Sequence, residues 1–328
     1  MIHFKKILVP TDFSSGSRVA YKYAGYLAQH FEGTIDFIHV VPSLKYLAES
    51  IGNMGLPLDM EKDIYPHLIK KAKTQCEEDI KEFVPETHRG KSLILVDRKP
   101  SDDIIEIAQE EHYDLIVMGA RGAHDDGIMK WGGITEKVIR RSSVPVISVP
   151  GKMPKEGINN ILVPSDLSDI SFNGLPFAAS LAAAVGAEIT VLHVLELYGS
   201  SSENIPRDPG KDEMEAIDTL LFEKINHSLH EGGVVRARLE KEPYKLYDNL
   251  IIDIGGEERT VTLHTKIVKG VSAHYEIVDF ASDNMDLIIM GTHGRSGLKH
   301  LLLGSTTEKV AQYSSVPVFT FRSRNLPE

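Results

Sequence analysis

A doubly wound α/β fold, built twice in tandem, is predicted by three observations. Short apolar runs alternate with helix-patterned stretches along the 328-residue chain. Each run is bounded by polar or glycine-bearing turns, as buried parallel strands are. The whole series then repeats. Lys5-Lys6-Ile7-Leu8-Val9-Pro10-Thr11-Asp12-Phe13-Ser14 returns as Asn159-Asn160-Ile161-Leu162-Val163-Pro164-Ser165-Asp166-Leu167-Ser168, 154 positions on. Asp114-Leu115-Ile116-Val117-Met118-Gly119 returns as Asp286-Leu287-Ile288-Ile289-Met290-Gly291, 172 positions on. Thr135-Glu136-Lys137-Val138 keeps that second offset in Thr307-Glu308-Lys309-Val310. Two copies of one domain follow, each a five-stranded parallel sheet flanked by helices. The second carries 18 extra residues between its second and fourth strands.

The first copy takes residues 1–150 and the second 158–324. The joining stretch, Pro150-Gly151-Lys152-Met153-Pro154-Lys155-Glu156-Gly157, is rich in breakers and too short for much independent swing. In the first copy, residues 7–9 form the first strand. Val19, Ala20, Tyr23, Ala24, Leu27, Ala28 and Phe31 follow at helical spacing, which makes one apolar face. Residues 34–41 read as the second strand and 43–60 as a loop with Gly52, Gly55 and Pro57. A polar helix spans 61–83. The third strand is 92–96, a short helix 102–110, the fourth strand 115–118, a helix 135–140 and the fifth strand 144–149. The second copy follows the same order. Pro176 falls inside its first helical pattern and predicts a kink or a late start there. The extra residues lie in 233–265, where Leu250 to Ile254, Gly255-Gly256 and Thr260 to Leu263 read as a β-hairpin. A small β insertion is expected, more readily as structural cover than as a partner surface.

The chemistry concentrates after the fourth strand of the second copy. Gly291-Thr292-His293-Gly294 is followed, nine residues later, by Gly304-Ser305-Thr306-Thr307 and a helical pattern. Glycines allow close backbone approach to phosphate and permit positive φ. A helix N-terminus supplies unpaired N–H groups and partial positive charge. Ser305, Thr306 and Thr307 add hydroxyls. A polyphosphate would be suited by this arrangement, and so would a capped βα turn. Ligands on open parallel sheets sit beyond the carboxyl ends of the strands at the switch point. Asp166, Val194 and Gly291 lie at such ends, as do Asp12, Val40 and Gly119 in the first copy. Their convergence favours a binding site.

Composition narrows the alternatives. At 42% hydrophobic and 25% charged, the chain suits a globular protein. No apolar run reaches the roughly 18 residues of a membrane helix. A formal charge of −11 argues against nucleic acid and anionic membranes as general partners. Any phosphate site must be local. The N-terminus enters a strand directly, without a leader pattern, and the single cysteine, Cys76, cannot form an internal disulfide; a cytoplasmic location is the expectation. There is no Gly-x-x-x-x-Gly-Lys-Ser/Thr loop, no Gly-x-Gly-x-x-Gly after the first strand, no Cys-x-x-Cys and no Gly-x-Ser-x-Gly. His39 and His193 sit at matching strand positions and read as satisfied core or rim histidines.

At these residues the chain resembles the universal stress protein family in its tandem two-domain form, over nearly its whole length. ATP-binding members of that family carry glycine, two residues, glycine, nine residues, glycine, then serine or threonine. Gly291, Gly294, Gly304 and Ser305 match without a gap. The resemblance implies ATP as the ligand, with Mg²⁺ able to bridge its phosphates. It implies that Asp166, with Pro164 and Ser165, borders the ribose, and that Val194 offers backbone contacts to adenine. Met290 and Gly291 would line the nucleoside, and Gly294, Gly304, Ser305 and Thr306 would hold the phosphates. His293, Arg295 and Lys299 could add cationic contacts, or form a solvated loop. In the first copy Gly119, Gly122 and Gly132 keep the spacing, but Gly133-Ile134 replaces Ser305-Thr306, and Asp125 and Asp126 enter the loop. Carboxylates repel a triphosphate, so this half is expected to bind nucleotide weakly or not at all. The family also pairs fifth strands across a dimer; here the two could pair within one chain as a pseudo-dimer, with homodimerisation still open. The function implied is regulation of a stress response by a nucleotide held in the second half. A scaffold without nucleotide and a slow ATP hydrolase are the alternatives, and no general base or nucleophile is identified.

Overall fold

The computed structural model describes residues 2–43, 60–97, 99–121, 132–151, 157–197, 211–231, 236–242, 245–292 and 303–322. In the first half the order is β1 (Lys6–Pro10), α1 (Ser15–Phe31), β2 (Thr34–Pro42), α2 (Tyr65–Phe83), β3 (Arg89–Asp97), α3 (Pro100–Glu110), β4 (Leu115–Gly119), α4 (Gly133–Arg141) and β5 (Val146–Val149). The second half follows with β6 (Asn160–Ser165), α5 (Asp169–Phe172), α6 (Leu175–Val185), β7 (Glu188–Glu196), α7 (Lys211–Glu231), β8 (Arg236–Glu240), β9 (Asp248–Ile254), β10 (Glu257–Gly270), α8 (Ala273–Asn284), β11 (Leu287–Gly291), α9 (Ser305–Tyr313) and β12 (Val318–Phe321).

The helix α1 shows why these residues fold as they do. Ser14 caps it, accepting from the Ser17 N–H at 3.1 Å. The predicted stripe is buried from Ala20 to Phe31, with Val19 partly buried beside it. Glu32 ends the helix in the left-handed region, φ 50°. In the second half the corresponding helix is broken. α5 stops at Phe172, and α6 restarts with Pro176 in its first turn, the late start that a ring without an N–H dictates. Gly174 lies in the break. A Cβ there would come within 3.4 Å of the Ile289 and Phe321 side chains.

The fifth strands of the two halves pair within the chain, as the family resemblance implied, and this joins the two sheets into one. Twelve strands run in the order β3-β2-β1-β4-β5-β12-β11-β6-β7-β10-β9-β8. Each half is parallel through its first five positions, and β5 meets β12 antiparallel, Ile147 opposite Phe319. Pairing the fifth strands removes two edges that would otherwise seek partners. The core crosses this seam. Phe4 meets Phe31 at 5.0 Å and Phe319 at 6.0 Å, and Phe177 meets Phe319 at 5.1 Å. Each fully buried Phe contributes roughly 1.5–3 kcal/mol, so the halves share their hydrophobic stabilisation.

The insertion is a hairpin, as its glycines predict. Gly255 (φ 64°) and Gly256 (φ 96°) make the two-residue turn between β9 and β10. It is larger than the prediction, because β8 adds a further antiparallel strand. It is also continuous with the sheet. Residues 257–263 of β10 pair with β9, and 263–270 pair parallel with β7 as the third strand of the half. Leu250, Ile252, Val261 and Leu263 join the core that includes Leu221, Ile225 and Leu229 of α7. Arg259 donates to the Ala183 carbonyl at 2.8 Å, near the end of α6. That contact fixes the hairpin at the amino ends of the strands, away from the candidate site.

Candidate functional site

The switch point of the second half lies at β6, which pairs with β7 on one side and β11 on the other. Pro164 and Ser165 are buried as the last residues of β6, and Asp166 follows half-buried. Val194 lies two residues before the end of β7, half-buried on the side of the sheet whose core includes Leu162, Ile277 and Met290. Met290 is buried, and Gly291 ends β11. The structure therefore gathers Pro164, Ser165, Asp166, Val194, Met290, Gly291, Gly304, Ser305 and Thr306 at one end of neighbouring elements.

The turn after β6 is built from its own side chains. Leu167 has φ 67°, where a branched side chain costs roughly 1–2 kcal/mol. Two hydrogen bonds hold it there. Ser165 Oγ accepts from the Leu167 N–H at 3.0 Å, and Asp166 Oδ1 accepts from the Ser168 N–H at 3.0 Å. Ser168 Oγ also donates to Asp166 Oδ1 at 2.5 Å. His193 Nδ1 lies 2.9 Å from the Ser165 carbonyl. The first half repeats each feature: Phe13 at φ 63°, Thr11 and Asp12 accepting from the Phe13 and Ser14 amides, and His39 Nδ1 at 2.8 Å from the Thr11 carbonyl. The two histidines are thus satisfied rim residues. The strained turn is what sequence reasoning missed. Its signal was the duplicated hydroxyl-Asp-x-Ser, in Thr11 to Ser14 and Ser165 to Ser168.

The start of α9 is fixed to the end of β11. Thr307 Oγ1 donates to the Gly291 carbonyl at 2.9 Å, and the Gly304 N–H donates to the Thr292 carbonyl at 2.8 Å. This corrects one expectation: the Thr307 hydroxyl anchors the helix and does not belong with the phosphate donors. The role of glycine is corrected as well. Gly304 has φ −59° and Gly132 φ −80°, so neither needs the left-handed region. Space is the reason where the structure shows one. A Cβ on Gly119 would stand 2.1 Å from the Gly16 carbonyl oxygen. The Glu308 N–H donates back to the Gly304 carbonyl at 2.8 Å, so the amides of Ser305, Thr306 and Thr307 precede the helical ladder. Ser305 is exposed and Thr306 half-buried beside them. The first half makes the same frame, with Thr135 Oγ1 2.9 Å from the Gly119 carbonyl, but presents Gly133 and the exposed Ile134 instead.

Charge near this helix is arranged across the seam. Arg140 of α4 donates to Glu136 at 3.0 Å and to Glu308 at 3.1 Å, balancing a carboxylate in the first turn of α9. At the head of α8, Glu196 accepts from the Ala273 N–H at 2.6 Å, and His274 Nδ1 lies 2.6 Å from Ser272 Oγ. Desolvation holds the His274 pKa below its usual value, and Lys309 of α9 lowers it further against the opposing Glu196.

The description of the universal stress protein family matches this chain twice, at residues 3–150 and 157–322. The chain belongs to the universal stress protein family. Universal stress protein Slr1230 of Synechocystis is 26% identical over 97% of this chain and 100% of its own length. Universal stress protein MJ0531 of Methanocaldococcus jannaschii is 31% identical over 49% of this chain and 81% of its own. A crystal structure of a universal stress protein from Archaeoglobus fulgidus superposes with a TM-score of 0.59 at 21% identity, covering 97% of this chain and 98% of that one; the likeness is one of fold. For this universal stress protein, Gly294 and Arg295 lie outside the described residues, as do His293, Lys299, Gly122, Asp125 and Asp126. No described helix is long and apolar enough to cross a membrane.

Proposed function

We propose that the second half binds ATP at the β6 switch point, and that the protein acts as a nucleotide-responsive regulator in stress physiology. The carrying observation is the start of α9. Three backbone amides precede its ladder, and the Ser305 and Thr306 hydroxyls stand with them at the carboxyl end of β11. Amides with a helix dipole behind them favour anions by up to about 2 kcal/mol, and hydrogen bonds to charged groups add about 1.5–3 kcal/mol each. The Asp166 turn and the Val194 backbone, on the neighbouring strands, are in the right order for ribose and base. Mg²⁺ would arrive on the phosphates.

The first half has the same frame without the hydroxyls, and that difference supplies the experiment. The full chain is titrated with Mg·ATP by calorimetry, alongside the double variant Ser305→Gly, Thr306→Ile, which gives the second half the residues of the first. Two lost donors to charged oxygens should weaken affinity by more than about tenfold. Equal affinity in the two proteins, or no binding in either, would rule the reading out.

A further inference from the structure

The antiparallel pairing of β5 with β12 brings the last turn of α4 to the first turn of α9, and one side chain crosses between them. Arg140 Nη2 donates to Glu136 Oε1 at 3.0 Å in its own helix and to Glu308 Oε1 at 3.1 Å in α9. The second half also holds the backbone of that turn. Arg322, the residue after β12, donates from Nη2 to the Arg140 carbonyl at 2.6 Å. The repeat predicts a reciprocal contact, and the sequence has removed it. At the offset of 172 positions, Glu136 corresponds to Glu308, but Arg140 corresponds to Gln312 and Arg322 to Pro150. Gln312 cannot return a charge to Glu136. The half that keeps the cation carries Gly133-Ile134, and the acid it reaches belongs to the half with Ser305-Thr306.

We propose that Arg140 is a positioning residue for the nucleotide site of the opposite half: by pairing with Glu308 it cancels the acid in the first turn of α9 and leaves the start of that helix able to accept Mg·ATP. This rests on the ATP reading above. Glu308 follows Ser305 by three residues, about 4.5 Å of axial rise. That lies within one Debye length, about 8 Å at physiological salt, so an uncompensated carboxylate there repels a polyphosphate at the amides of Ser305, Thr306 and Thr307. In a chain of net charge −11 the compensation has to be local. Arg140 supplies it without touching the nucleotide. Both side chains of the pair are partly exposed, so salt reaches them and the effect is open to screening. The first half thereby contributes to the site of the second, although its own helix start has lost the hydroxyls.

Calorimetric titration of the full chain with Mg·ATP tests it, with a thermal melt confirming that each variant folds. Arg140→Gln should weaken binding roughly fivefold relative to wild type at about 0.1 M salt. The deficit should shrink below about twofold at about 1 M salt, as the Debye length falls from about 10 Å to about 3 Å. Glu308→Gln should bind ATP as tightly as wild type or tighter. In that background Arg140→Gln should cost less than about twofold, because the charge it answers is gone. A general packing defect would ignore salt and survive the change at Glu308. If wild type fails to bind ATP, the nucleotide reading and this inference fall together. If wild type binds but Arg140→Gln binds equally well, the inference is overturned and the nucleotide reading stands. The same holds if the deficit persists at high salt or in the Glu308→Gln background.

Discussion

Thr307→Val offers a sharp test, because the molecule contains its own control. Thr307 is 5% exposed and its hydroxyl makes the 2.9 Å bond to the Gly291 carbonyl. Valine keeps the shape and removes the donor. The half-buried Gly291 carbonyl loses that donor, at a cost of about 1–2 kcal/mol. Thr135 is 3% exposed and makes the same 2.9 Å bond to Gly119, so Thr135→Val should cost about as much. Each variant should lower the melting temperature by about 2–4 °C. Their effects on ATP should differ. Thr307 holds the N-terminus of α9 against β11, and losing the alignment of one charged hydrogen bond, about 1.5 kcal/mol, weakens affinity roughly tenfold. Thr135 holds a helix whose first turn presents Gly133 and Ile134, and its loss should leave ATP affinity unchanged. Calorimetric titration with differential scanning calorimetry measures both quantities. If the two variants shift ATP affinity by the same factor, or Thr307→Val lowers stability without touching affinity, the assignment of α9 as the phosphate helix fails.

Two further predictions concern other parts of the molecule. Gly256 has φ 96° and open space around its Cβ position, so Gly256→Ala should cost roughly 1 kcal/mol through backbone strain alone; a chemical melt reads this, and ATP affinity should not change, since the hairpin lies at the opposite end of the strands. His274 has its pKa lowered from 6.5 by desolvation first and Lys309 second. The unfolded chain then takes up the proton more readily, so the stability His274 contributes is full above about 6.5 and is lost as pH falls through the folded value. His274→Gln should flatten the decline in stability between neutral and mildly acidic pH, and a steeper decline would contradict the sign.

Much of this was legible in the residues. The repeat, the alternation of strand and helix, the break before Pro176 and the Gly255-Gly256 hairpin are local or periodic features, and each depends on contacts within a few positions. The glycine pattern Gly291 to Gly304 also marked the junction that the fold forms between the end of β11 and the start of α9. Other facts could not be read in this way. That Thr307 is an anchor and Ser305 an exposed donor depends on where the Gly291 carbonyl points, which adjacent residues of one helix do not reveal. Leu167 in the left-handed region is stabilised by Ser165 and Asp166, and only the folded turn brings those donors and acceptors within 3 Å.

By itself, then, the sequence determined the two copies, their strands and the chemical contrast between Ser305-Thr306 and Gly133-Ile134. Only the tertiary structure decided the antiparallel register in which the expected pairing of β5 with β12 closes one twelve-stranded sheet, and that β10 serves both as insertion hairpin and as third strand. The physical reason is one of range. Propensity and periodicity act along the chain, whereas β5 reaches β12 across more than a hundred residues, through ladder bonds and aromatic packing that neither segment encodes alone.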